Sequence, residues 1–158
     1  MTSRPVFLEA ARLEDVAALA DLEKRCFSHP WPEQSFREVL APGAGYTVLS
    51  LRAPFAADEP ERGIRAYCVV QVVADELQIH NLAVRPQDRR AGLGRWLLEF
   101  VLDLGRRRGA EKALLEVRRS NTQAMHLYHS MGFSTLGVRS GYYLHPKEDA
   151  VVLVKGLP

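Results

Sequence analysis

Apolar residues recur along this chain in two rhythms. From Leu93 to Arg108, Leu97, Leu98, Val101 and Leu102 fall at i, i+1, i+4 and i+5, the stripe of a helix. Glu14 to Phe27 repeats the pattern through Val16, Leu19, Ala20 and Phe27, with Glu14 and Asp15 in a first turn that favours negative charge. Asn121 to Met131 aligns Ala124, Leu127, Tyr128 and Met131. A short helix, Glu33 to Leu40, follows the break Ser28-His29-Pro30-Trp31-Pro32, and Pro42-Gly43-Ala44-Gly45 closes it. Pro32 suits its first position, because the missing N–H would be unpaired there anyway. Strands are predicted at Val6–Ala10, Tyr46–Leu51, Ile64–Val73, Glu76–Val84, Lys112–Val117, Phe133–Tyr143 and Ala150–Val154. Ala74-Asp75 turns the third into the fourth as an antiparallel hairpin, and Gly109 is placed to cap the long helix. Arg52 to Gly63, with two prolines and several acids, reads as a flexible surface connection. The order βααβββαβαββ predicts an α+β fold on a mixed sheet.

Length and charge narrow the picture. The 158 residues fit one domain, 1–158, and 47% hydrophobic with 25% charged residues is a globular composition. A net charge of +2 is too small to argue for nucleic-acid binding. The basic residues nevertheless cluster, at Arg89, Arg90 and Arg95 and again at Arg106 to Arg108, and such a corner suits a polyphosphate ligand better than a duplex. Cys26 and Cys68 lack C-x-x-C or histidine-paired spacing, so neither a zinc site nor a disulfide framework is suggested and buried free thiols are expected. The first ten residues lack the apolar core of a signal peptide and no run is long enough for a membrane span, which predicts a cytoplasmic protein.

Pro86 ends the strand Glu76–Val84, and Arg89-Arg90-Ala91-Gly92-Leu93-Gly94 leads from it into the long helix. A helix N-terminus presents N–H groups without intrahelical partners and a partial positive charge. Two glycines let an anion approach the backbone, and two arginines add full charge. The spacing is neither a P-loop nor a G-x-G-x-x-G fingerprint. On its own the hexapeptide fits either a pyrophosphate cradle or a strand-to-helix turn with a solvated basic corner.

Three residues downstream have similar double readings. Glu116 sits inside the apolar run A-L-L-E-V, where a carboxylate must be paired, solvated or working; facing a wet side of the sheet or pairing with Arg118 satisfies that. Asn121 is placed to cap a helix. Tyr128 lies on an apolar stripe and fits a packed core tyrosine. His80, His126 and His129 lack partner spacing and read as solvated or core-edge histidines.

Taken together, Arg89-x-x-Gly92-x-Gly94 followed by Asn121-x-x-Ala124-x-x-Leu127-Tyr128-x-x-x-Gly132-Phe133 resembles the GCN5-related N-acetyltransferase (GNAT) superfamily. The likeness covers nearly the whole chain. Phe27-x-x-Pro30-Trp31 with Phe36, Asn81-Leu82-Ala83-Val84, Leu115-Glu116-Val117-Arg118 with Ser120-Asn121, Arg139-x-x-Tyr142-Tyr143 and Glu148-Asp149-Ala150 resemble the RimI-type ribosomal-protein-alanine N-acetyltransferases. The Arg52–Gly63 connection is longer than that resemblance suggests.

The resemblance implies a GNAT fold, a mostly antiparallel sheet of about seven strands with helices on both faces. It implies acetyl-CoA as co-substrate, no metal, and the N-terminal peptide of a ribosomal protein as acceptor, with no direct nucleic-acid or membrane contact. Backbone groups of Leu82, Ala83 and Val84 would bond the pantetheine arm and acetyl carbonyl. N–H groups of the segment Arg89, Arg90, Ala91, Gly92, Leu93, Gly94 and Arg95 would hold the pyrophosphate, and Asn121 would also touch the cofactor. Glu116 matches the general base and Tyr128 the general acid.

Elementary chemistry agrees with those roles. The acceptor amine must lose a proton before attack, and an α-amine with a pKa of ~7.7–8.0 gives it up more readily than a lysine at ~10.4. Strand N–H groups would meet the oxyanion, provided a bulge frees them from the ladder. Trp31, Tyr142 and Tyr143 are candidates to line a peptide groove, against the alternative that Trp31 packs on the core and the tyrosines pair across strands. Two rival functions are a GNAT acting on a small amine or aminoacyl-tRNA, and a non-catalytic acyl-CoA sensor. A sensor has no need of both Glu116 and Tyr128.

Overall fold

The computed structural model describes residues 5–54 and 63–158. Seven strands are formed among these residues: β1 (Phe7–Ala10), β2 (Tyr46–Arg52), β3 (Ile64–Val73), β4 (Glu76–Val84), β5 (Lys112–Arg118), β6 (Ser134–Tyr143) and β7 (Glu148–Gly156). Four α-helices accompany them among the described residues: α1 (Val16–Cys26), α2 (Glu33–Leu40), α3 (Leu93–Arg107) and α4 (Thr122–Ser130). The sheet order is β1-β2-β3-β4-β5-β7-β6. β4 pairs with β5 in parallel, whereas β1–β2, β2–β3, β5–β7 and β6–β7 are antiparallel. A parallel joint needs a long crossover, and α3 supplies it between β4 and β5. No helix among the described residues is long and apolar enough to cross a membrane.

Two compact units divide the chain, and each builds its own interior. The first takes in the residues up to Gln71 and Asn81–Glu99. Its core gathers Leu19 and Leu22 of α1, Phe36 of α2 and Ile64, Tyr67 and Val69 of β3. Arg52 corrects the sequence reading. It is the last residue of β2, not a surface-loop residue, and its buried guanidinium meets Asp15 at 2.6 Å and Glu9 at 3.1 Å. A buried charge persists only when paired, and neither partner adjoins Arg52 in sequence. Residues 55–62 of the predicted connection lie outside the described residues.

The second unit comprises Val72–His80 and Phe100–Pro158. β5 runs between β4 and β7 and buries Ala113, Leu115 and Val117. A Cβ at Gly105 of α3 would stand 2.9 Å from Leu77 Cδ2, so this mid-helix glycine permits close helix–strand contact that offsets its poor helix propensity.

The observed elements differ from the predicted ones at several of their ends. A 3-10 turn, Leu13–Asp15, precedes α1, and Asp15 accepts the Arg12 N–H at 2.8 Å. Pro32 is the extended N-cap of α2 (φ −71°, ψ 163°) and not its first helical residue. β7 begins at Glu148 because Arg118 and the Ser120 N–H hold that carboxylate at 3.4 and 2.5 Å.

Candidate active site

The cradle and strand residues belong to the first unit. The Arg85 N–H donates to the Arg65 carbonyl on β3 at 2.7 Å. N–H groups of an extended strand alternate between its edges, so those of Leu82 and Val84 turn to the other edge. The β4–β5 ladder ends at Ile79↔Leu115, three residues before Leu82. Register shifts fall at Leu51/Arg52 in β2 and at two places in β6. The Val84 carbonyl already accepts from Cys26 Sγ at 3.4 Å and Arg89 Nε at 3.2 Å.

Beyond Pro86 a short 3-10 turn, Pro86–Asp88, carries the Arg85–Asp88 ion pair. Arg90 (φ 66°) and Gly92 (φ 81°) then both adopt the left-handed region. Alternating handedness gathers successive N–H groups into an anion-binding concavity. A Cβ at Gly92 would meet nothing within 4 Å, so its backbone angle and not space is what calls for glycine. The first helical bond runs from the Trp96 N–H to the Gly92 carbonyl at 3.0 Å. The N–H groups of Leu93 and Gly94 thus open the helix ahead of its first intrahelical bond. Ala91 and Arg95 are exposed around them. The segment fits a pyrophosphate.

The proton-transfer candidates belong to the second unit. Glu116 faces solvent, and its Oε1 accepts from Arg139 Nη1 at 2.7 Å. The partner anticipated from sequence, Arg118, instead meets Glu148 and lies 4.0 Å from the centre of the Tyr143 ring. Arg139 in turn lies 4.8 Å from the centre of the Tyr142 ring. The two tyrosines meet edge-on at 5.2 Å, each beneath its own arginine, and Tyr143 also stands opposite Glu148 across the β6–β7 pair. Burial, then the Glu116 charge, raises the Tyr143 hydroxyl above the ordinary tyrosine range. Burial also lowers the His80 imidazole, against the opposing pull of Glu116. Hydrogen bonds from the Ser120 hydroxyl and N–H hold Glu148 below the usual carboxylate range.

Asn121 caps α4 as expected, its Oδ1 accepting the Ala124 N–H at 3.2 Å. Tyr128 is buried and packs edge-on against Phe133 at 5.6 Å. Cys68 is a buried thiol and Cys26 a half-buried one, and desolvation raises both.

Trp31 leans on the first unit's core, with its ring 5.4 Å from that of Phe36. Its backbone N–H donates to Glu23 Oε1 at 3.1 Å. Sequence reading passed over Glu23. The signal was present: Glu23 stands at i+7 from Val16 and i+4 from Leu19, a charge on the buried stripe. Burial raises its carboxyl above the usual range, against the pull of the Trp31 and Asn81 donors. The folded chain then binds this proton more tightly than the unfolded chain, so stability falls as pH rises from the ordinary glutamate pKa of ~4.3 toward the raised value. Tyr67 and Cys26 are the titratable side chains that bear on it. Glu23→Gln abolishes that slope, so the Tm advantage of the natural chain should shrink as pH rises above about 4. A Tm difference constant over that range refutes the assignment.

The sequence profile of the Acetyltransferase (GNAT) family matches residues 16–133. The chain belongs to the GNAT acetyltransferase family. It is an N-acetyltransferase that depends on acetyl-CoA. A ribosomal protein bS18-alanine N-acetyltransferase of Salmonella typhimurium is 37% identical over 141 residues, 88% of this chain and 89% of that protein. The crystal structure of the ribosomal-protein-S18-alanine N-acetyltransferase from Escherichia coli superposes with a TM-score of 0.82 at 32% identity, covering 97% of this chain and 94% of that one. Arabidopsis thaliana NAA60, crystallised with acetyl-CoA, shares the fold alone, with a TM-score of 0.86 at 15% identity over 97% and 99% of the two chains. The GNAT fold expected from sequence is the one observed.

Proposed function

We propose that this GNAT enzyme acetylates the N-terminal alanine amine of a small-subunit ribosomal protein in the cytoplasm. The observation that carries this reading is the 37% identity to a bS18-alanine acetyltransferase across 88% of the chain.

In this reading the Leu82 and Val84 N–H groups receive the polar groups of the acetyl-pantetheine arm. The Arg89–Arg95 backbone holds the pyrophosphate, and Asn121 adds a contact. Glu116 takes the amine proton, directly or through a water. Its solvent-facing carboxylate, steadied on one oxygen by Arg139, supports that role. Tyr128 returns a proton to the departing thiolate. Trp31, Tyr142 and Tyr143 receive the peptide. Such acid–base help is typically worth ~10²–10⁴ in rate.

The test is thiol release from acetyl-CoA with a hexapeptide beginning in alanine, set beside a free polyamine and confirmed by peptide mass. Acetylated peptide with no polyamine turnover is expected. Polyamine turnover alone assigns a small-amine enzyme, and tight acetyl-CoA binding without transfer to any amine assigns a sensor.

A further inference from the structure

Glu23 is 2% exposed, yet its carboxylate touches three separate segments of the first unit. Oε1 accepts the Trp31 N–H at 3.1 Å, from the loop between α1 and α2. Oε2 accepts Asn81 Nδ2 at 2.9 Å, from β4, and the Tyr67 hydroxyl, from β3. Asn81 directly precedes Leu82, where the proposed acetyl-CoA stretch begins.

The same turn of α1 makes two further contacts along that segment. Cys26 Sγ reaches the Val84 carbonyl at 3.4 Å, and Arg25 Nη2 reaches Gln87 Oε1 at 2.7 Å. Aromatic packing repeats the connection, since Trp31 rests on Phe36 and Phe36 stands edge-on to Tyr67 at 5.7 Å.

An apolar side chain would suit this stripe position and avoid desolvating a charge. A buried carboxylate costs stability unless donors surround it, and removing its charge leaves those donors unmatched. A carboxylate does one thing that a leucine cannot: it fixes a loop N–H and a strand amide to a single rigid group.

We infer that Glu23 is a positioning residue that locks the Trp31 loop to the Asn81–Val84 stretch of β4, so that acetyl-CoA seated on that strand orders the loop that receives the acceptor. This rests on the proposed acceptor and cofactor roles of Trp31 and Leu82–Val84. Glu23 itself touches neither acceptor nor cofactor. It acts through Trp31 and Asn81.

The experiment has two arms, run on the full chain and on Glu23→Gln. In the first, KM for the alanine-starting hexapeptide should rise ~10-fold, while kcat and KM for acetyl-CoA stay within ~2-fold, the pattern of a lost contribution to acceptor binding. In the second, saturating acetyl-CoA should slow hydrogen exchange at the Trp31 amide in the natural chain and leave it unchanged in the variant. If Glu23→Gln fails to fold, Tyr67→Phe removes one donor while keeping the ring, and the same two results are expected in weaker form. Equal rises in both KM values, or an acetyl-CoA effect on Trp31 that survives the substitution, overturn the inference. If the natural chain acetylates no peptide, the acceptor assignment fails by itself, and the exchange arm alone decides whether Glu23 couples loop to strand.

Discussion

Tyr128→Phe should lower kcat by about 10²–10⁴-fold, the range for losing a positioned proton donor, while the dissociation constant for acetyl-CoA stays within about twofold. The substitution removes one oxygen. The remaining ring keeps the edge-on contact with Phe133 at 5.6 Å, so α4 should hold its place. A lost hydrogen bond at a buried hydroxyl costs about 1 kcal/mol of stability, which separates a modest Tm decrease from a collapse in turnover. Steady-state kinetics with the alanine peptide, together with an acetyl-CoA titration, read the two effects separately. Turnover equal to the natural enzyme's removes Tyr128 from the mechanism and leaves it as a packing residue.

Glu116→Gln should lower kcat/KM at pH 7 by roughly 10²-fold and recover most of that loss by about pH 9. The direction follows from the acceptor. An α-amine with a pKa of ~7.7–8.0 is mostly protonated at pH 7 and mostly neutral at pH 9, so the missing base matters least at high pH. Glutamine still presents an oxygen to Arg139, now at 2.7 Å from Oε1, so the local arrangement should survive. A pH–rate profile from 6.5 to 9.5 reads the outcome. A loss of constant size across the range shows that Glu116 orients the acceptor and does not accept its proton.

The Arg139 contact also shows where sequence reading ran short. Glu116 was conspicuous as a charge inside an apolar strand, and its neighbour Arg118 was the natural partner to name. Residues i and i+2 on a strand share a face, but Arg118 turns to Glu148, and the side chain that reaches Glu116 comes from β6, 23 residues away. The Tyr142-Tyr143 pair has the same history. Its composition marked it out, but its two guanidinium partners depend on how β5, β6 and β7 are set in register.

Periodicity and turn chemistry alone determined the order of elements, the crossover helix after Pro86 and the glycine-bearing loop that leads into it, because these depend on residues within a few positions of one another. α2, β3 and β4 begin and end where the pattern predicts. Tertiary structure alone decided which charges are paired and which are buried. Arg52 moved from a surface connection to an ion pair with Asp15, and Glu23 from an unremarked helix position to the junction of a loop and two strands. The reason is physical: a buried charge takes its stability from donors or acceptors that the fold delivers from distant segments, and local pattern carries no record of them.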